Sequence, residues 1–234
     1  MHRQFFTNVR CFCEIYTEFN MKQSVENKII EKIKNYKRGK IFFGDDFVKL
    51  GSADSIRQAL QSLQKSELLV RVATGIYVYP KINKYEWLNK KYLLPSVDDI
   101  AQAIAKRDKI RIVPTGAYAL NALGLSTQVV MNVVYITDGT PRRIKVGGGK
   151  GILFKHTSEV RRLAFKSNLL MLLDSALREI GEGRIRPRHL EIIKEKLKFA
   201  TQKDIDRDID LMPIWIRNII LKQWNFLNSP NKQE

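Results

Sequence analysis

Residues 51–81 read GSADSIRQALQSLQKSELLVRVATGIYVYPK, and the change of period inside this stretch decides the fold of the amino-terminal part. Ile56, Ala59, Leu60 and Leu63 recur at i, i+3, i+4 and i+7, one apolar stripe of a helix that Ser52 is placed to cap. The opposite face carries Arg57, Gln58, Gln61, Ser62 and Lys65, with no acid among them. After the helix, Leu68 to Val72 and Ile76 to Tyr79 are two β-rich runs around Ala73-Thr74-Gly75, a hairpin pattern.

Working outward, Ser24 is placed to cap an earlier helix with Val25, Ile29, Ile30 and Ile33 on one face, closed by Gly39. Ile41 to Phe43 form a short apolar segment, and Asp45 is placed to cap a brief second helix carrying Phe47 and Leu50. Three helices and a hairpin predict a winged helix-turn-helix over residues 21–82. A major groove about 12 Å wide admits one such helix. On that reading Arg57, Gln58, Gln61 and Lys65 face the groove, while Ser52, Ser55 and the helix amides hold a phosphate. Arg71, Thr74 and Lys81, on and beside the wing, touch the neighbouring backbone. The other reading is a solvated helix face on a winged fold that serves protein contact.

Composition favours a polyanionic partner. The 234 residues carry 41 Lys plus Arg against 24 Asp plus Glu, a net charge of +17. The excess is spread: residues 21–95 hold 15 basic and 7 acidic side chains, residues 96–234 hold 24 and 15. Nucleic acid or an acidic protein are the partners this balance points to. Cys11 and Cys13 are too few for a tetrahedral zinc site. No stretch approaches the roughly 20 apolar residues that cross a bilayer, and residues 1–20 lack the apolar run of a signal peptide. A soluble cytoplasmic protein is expected. Residues 1–20 show no clean period; either translation begins at Met21 or they form an added strand or arm.

Residues 83–95 read as an aromatic-rich connector with Tyr85, Trp87 and Tyr92, and residues 96–228 as a mixed α/β domain with a small sheet and carboxy-terminal helices. Ser96 and Asp99 resemble a capping box ahead of Val97 to Arg107. Ile110 to Val113 read as a strand broken by Pro114, and Gly116 to Leu123 as a helix stopped by Gly124. Val129 to Thr137 and Arg142 to Val146 flank Asp138-Gly139, a hairpin signal, and Ile152 to Lys155 follow as a further strand. Leu169 to Ile180, Leu190 to Leu197, a helix after Thr201 and one after Pro213 complete an α+β protein.

Chemical motifs fall short of their templates. Gly147-Gly148-Gly149-Lys150-Gly151 lacks the spacing and the Ser or Thr of a phosphate loop. The alternating Asp204, Asp206, Asp208 and Asp210 lack the Gly and Glu of a calcium loop and read as helix surface and turn. His2, His156 and His189 stand apart from any matching ligand or nucleophile pattern. No catalytic residue, metal or cofactor is expected; an enzyme would need a site built from distant acids such as Asp138 and Asp174. One dense cluster remains: Arg142, Arg143, Lys145, Lys150, Lys155, Arg161, Arg162 and Lys166 against Glu159 alone. It reads as a second basic patch on a hairpin and its flank, for a DNA backbone or an acidic partner, or else as a charged, aggregation-resistant sheet edge.

The segments GSADSIRQALQSLQKSELLVRVATGIYVYPK, PSVDDIAQAIAKRDKIRIVPTGAYALNALGLSTQ, VYITDGTPRRIKVG and MPIWIRNII, in that order, resemble the AbiEi-type antitoxins of type IV toxin–antitoxin systems, from about Met21 to Trp224. The resemblance implies a winged helix that binds and represses the operon's own promoter. It also implies a carboxy-terminal domain that counteracts a nucleotidyltransferase-like toxin without needing a stable complex. Recognition then falls on Ser52, Ser55, Arg57, Gln58 and Gln61, with the wing at Arg71 to Tyr77. The Thr115 to Gln128 segment and Thr137-Asp138-Gly139 with Arg142 and Arg143 match the family core without an assigned chemical role. An orphan regulator, or a protein-interaction module whose basic hairpin docks an acidic partner, is the alternative.

Overall fold

The computed structural model describes residues 24–84, 91–128 and 130–229. The expected extension 1–20 and the rings of Tyr85 and Trp87 lie outside them. The chain is mixed α/β and divides into two compact units at Pro95 and Ser96.

In the first unit, α1 (Val25–Lys34) starts at Ser24, whose hydroxyl accepts from Asn27 N at 3.2 Å. Its last turn comes at Lys34, before Gly39, and β1 (Ile41–Phe43) follows. The expected brief helix is a 3-10 segment, Gly44–Leu50, held by Asp46 rather than Asp45: the Asp46 carboxylate accepts from Phe43 N at 2.7 Å. Then come α2 (Ala53–Lys65), β2 (Val70–Ala73) and β3 (Ile76–Val78), and the three strands form an antiparallel sheet in the order β1-β3-β2. Ile29, Ile33, Phe42, Phe47, Leu60 and Leu63 form the core between helices and sheet. Two short strands, β4 (Lys81–Ile82) and β5 (Tyr92–Leu93), pair antiparallel, so the ends of the expected connector are joined within this unit. Glu67 tethers that pair to the end of α2, accepting from Tyr92 Oη at 2.9 Å and from Lys91 Nζ.

The second unit opens with α3 (Val97–Asp108), and the capping box forms: Asp99 N donates to Ser96 Oγ at 3.1 Å and Ser96 N to Asp99 Oδ2 at 2.9 Å. After it come β6 (Ile112–Thr115), α4 (Ala117–Leu123), β7 (Asn132–Thr137), β8 (Arg142–Val146) and β9 (Lys150–His156), with sheet order β6-β7-β9-β8. Pro114 does not break β6 but sits inside it, on an edge strand where its missing N–H breaks no ladder bond. The strands around Asp138-Gly139 are not a hairpin either: β7 pairs with β9 in parallel, and β8 pairs with β9 across Gly147 to Gly149. Gly148 and Gly149 take φ of 76° and 75°, which a tight turn needs and other residues resist. Asp138 is occupied instead in accepting from Arg111 N at 2.9 Å, and a side chain at Gly139 would meet Ile110 at 2.6 Å.

The pleat sends alternate residues to opposite faces. Tyr135 and Phe154 stack at 5.8 Å on one face, where Tyr135 Oη donates to Asp98 of α3 at 2.6 Å. Val113 and Ile136 lie on the other, against Leu163 of the 3-10 segment Val160–Leu163 and Met171 of α5 (Asn168–Ile180). The far side of α5, with Leu170, Leu173 and Leu177, packs on α4, α6 (Pro187–Leu197), α7 (Gln202–Asp208) and α8 (Ile214–Asn228).

Asp208 joins these layers. Expected on a helix surface and turn, it is 1% exposed, and from the end of α7 its Oδ2 accepts from Lys166 N at 3.0 Å and Ser167 N at 2.7 Å, holding the segment that leads into α5, whose own cap is Ser167. Burial pushes its pKa up, but Arg207 and the two amides outweigh this and hold the carboxyl below its usual range. Asp208→Ala is expected to cost about 2 kcal/mol of stability, by loss of two charge-assisted hydrogen bonds that leaves the Lys166 and Ser167 amides without their acceptor. Because the folded pKa is depressed, the difference from the parent should be fully present above about pH 5 and decline as pH falls through the folded value. Chemical denaturation of both proteins across that range checks it.

Candidate functional site

The face of α2 left over after its apolar stripe is buried is the first candidate. Ile56, Ala59, Leu60 and Leu63 are buried, so Arg57, Gln58, Gln61 and Lys65 are held outward and exposed. Ser62 belongs elsewhere: its hydroxyl donates to Glu26 Oε1 of α1 at 3.0 Å, which pins α2 to α1. An acid also shares the outer face. Arg57 Nη2 meets Asp54 Oδ1 at 2.8 Å, with both side chains 77% exposed. An exposed pair of this kind is worth only about 0.3–0.5 kcal/mol, so a phosphate can displace Asp54 from Arg57. The Asp54–Arg57 spacing of three was legible in the sequence as a helical pair.

At the start of α2, Ser52 Oγ accepts from Ser55 N at 3.3 Å and lies 2.8 Å from Ser55 Oγ. The two hydroxyls and the first turn of a thirteen-residue helix therefore converge on one exposed spot. The β2–β3 turn puts Thr74 in solvent, and its Gly75 O accepts from Gly44 N at 3.0 Å, which anchors the turn beside the 3-10 segment. Arg71 is exposed and bends back, its Nε donating to Ala73 O at 3.4 Å.

Lys81 does not join them. It lies beyond the other end of β3, about 20 Å from Thr74 at the rise of an extended chain. Its stem covers Gly39, where a methyl group would sit 2.6 Å from Lys81 Cε.

The second basic cluster is divided by the pleat of its own strands. Arg143 and Lys145 face the same side of the sheet as Lys155, while Arg142 and Lys150 face the other. Arg142 bonds to Asp108 and lies 5.4 Å over the Phe154 ring. Arg162 is half-buried on the 3-10 segment beside Arg178, and burial pushes its pKa down. Arg161, Lys150, Arg143, Lys145 and Lys155 are exposed, and none has an ion-pair partner among the described residues.

The distant acids are already engaged. Asp138 is held low by the Arg111 amide and guanidinium. Asp174 is 1% exposed, is pushed up by burial, and accepts from Arg178 Nε at 2.8 Å. Among the described residues no three His, Cys, Asp or Glu side chains gather to hold a metal ion, and no helix is long and apolar enough to cross a membrane. Arg142→Ala should cost about 1–2 kcal/mol, since it removes one of the two guanidinium groups on the half-buried Asp108 carboxylate, leaving Arg107, and uncovers an aromatic face, whereas Arg143→Ala and Lys145→Ala should stay within about 0.5 kcal/mol. Urea unfolding of the three variants separates the structural cation from the free ones.

Comparison with curated proteins gives no match, and neither does comparison with solved structures. A family model described as a family of unknown function (DUF6088) matches residues 28–205, most of the chain, and the protein belongs to that family.

Proposed function

We propose that this protein is a duplex-DNA-binding transcriptional regulator that reads its own promoter through a winged helix in the first unit. The observation that carries the reading is the exposed face of α2, with Arg57, Gln58, Gln61 and Lys65 outward and a serine pair at its start. Support comes from the order α1, β1, 3-10 turn, α2, β2, β3 with sheet order β1-β3-β2, in which the β2–β3 hairpin follows α2 in the chain as a wing would.

The chemistry follows from that placement. Gln58 and Gln61 can pair with adenine edges and Arg57 with guanine, while Ser52 and Ser55 hold a phosphate at the helix start. Thr74, with Arg71 behind it, reaches the adjacent backbone. Lys81 is left out of this interface because it sits at the far end of the sheet. A net charge of +17 supplies the long-range attraction.

For the second unit, the resemblance to AbiEi-type antitoxins supports a role against a nucleotidyltransferase-like toxin. Rescue of growth on co-expression with a toxin encoded beside it tests that role.

Fluorescence anisotropy with duplex from upstream of the gene tests the DNA reading. Arg57→Ala with Gln61→Ala is expected to weaken binding at least tenfold, at about 1–3 kcal/mol per base contact. Affinity of the parent should fall linearly on a log–log plot against salt. Absent or salt-insensitive binding contradicts it.

A further inference from the structure

The second unit holds a cavity of about 360 Å³ beside the free edge of β6. That size is within the range of small-molecule pockets, about 300–1,000 Å³. Its walls come from α3, which covers one face of the sheet, and from the segment around Leu163 and Met171, which covers the other. The two walls can meet only past the edge strand, so the cavity lies along the outer side of β6.

The ladder register fixes what that edge offers. Thr157 N donates to Thr137 O at 2.9 Å, so the main-chain groups of Thr137 face β9. Ile112, opposite Thr137 in the antiparallel pair, must then turn its own N–H and C=O away from β7. The next outward position is Pro114, which has no N–H. The edge therefore presents one strand donor, too few to template an added strand, and an extended peptide is a poor occupant.

Charge selects among smaller ligands. Arg111 and Lys166 flank the cavity, the Gln102 amide adds a neutral donor, and no carboxylate lines it among the described residues. Asp138 takes Arg111 through Nε at 3.0 Å and no other atom of that guanidinium, leaving the terminal amino groups open. The main-chain amide of Lys166 is taken by Asp208, so the cation available is its ammonium group. Phe165 and Met171 supply an apolar wall.

We propose that this cavity binds a small amphipathic anion, a carboxylate or phosphate monoester on a compact apolar body. The oxyanion sits at Ile112 N–H between Arg111 and Lys166, and the body lies against Phe165 and Met171. The site belongs to the second unit, and the proposal does not rest on the DNA reading of the first.

Amide-resolved NMR of the full chain without DNA tests it, with benzoate and phenyl phosphate as probes and benzyl alcohol as the uncharged control. The Ile112 amide resonance is expected to shift saturably with at least one anion, the tighter of the two naming the head group, and not with the alcohol. Lys166→Met, at an exposed side chain, should weaken that binding about tenfold. Ala164→Trp, which fills the cavity, should abolish it while Lys166→Met keeps the parent's melting temperature. No saturable shift at millimolar anion, equal binding of benzyl alcohol, or unchanged affinity in both Lys166→Met and Arg111→Met overturns the proposal. Because no DNA is present, any of these results leaves the reading of α2 where it stood.

Discussion

Burial of one stripe on α2 is the constraint from which the first unit follows. Ile56, Leu60 and Leu63 are each worth about 1.5–3 kcal/mol when taken out of water, and they meet Ile29 and Ile33 of α1 and Phe47 of the 3-10 turn in one core. Successive helical residues are about 100° apart, so fixing that stripe fixes the rotation of the helix. Turning α2 to hide Arg57 or Lys65 would expose the stripe and bury an unpaired cation. The polar face is therefore the complement of the core, and the Ser62–Glu26 bond locks the angle at which α2 meets α1.

The second unit applies the same sorting with a period of two. Its sheet is covered on both faces, by α3 and by α5, so apolar residues are needed on both sides of β7: Tyr135 for one layer, Ile136 for the other. The edge strand β8 has less to bury. Its residues divide into Arg142, which is bonded to Asp108 and braced on Phe154, and Arg143 and Lys145, which stand free. Free cations on an edge discourage strand addition whatever else they contact. At the opposite edge Pro114 does this by removing a donor.

Local signals were legible in the sequence, and pairings between distant segments were not. The stripe of α2, the Ser24 and Ser96 caps and the stop at Gly124 depend on residues within a turn of one another, and each appears where the pattern puts it. Asp138-Gly139 has the composition of a hairpin turn, but strand partners are set by burial on both faces. That favours the parallel β7–β9 pair, which no spacing in the sequence announces. Asp208 shows the same limit in a side chain: alternating aspartates look like helix surface, and its role depends on Lys166 and Ser167, some forty residues away. In the candidate interface, Arg57, Gln58, Gln61 and Lys65 follow from helical period alone. Lys81 lies away from the β2–β3 turn, beside Gly39, because adjacency to the wing in sequence is not adjacency to its tip.

The most direct measurement is an NMR titration of the full chain with duplex from upstream of its own gene, followed amide by amide at low salt. The account expects the largest shifts at Ser52 to Gln61 and at Thr74-Gly75, with Lys81 unmoved. Shifts confined to Arg143 through Lys155, or none that distinguish this duplex from one of unrelated sequence, would contradict it.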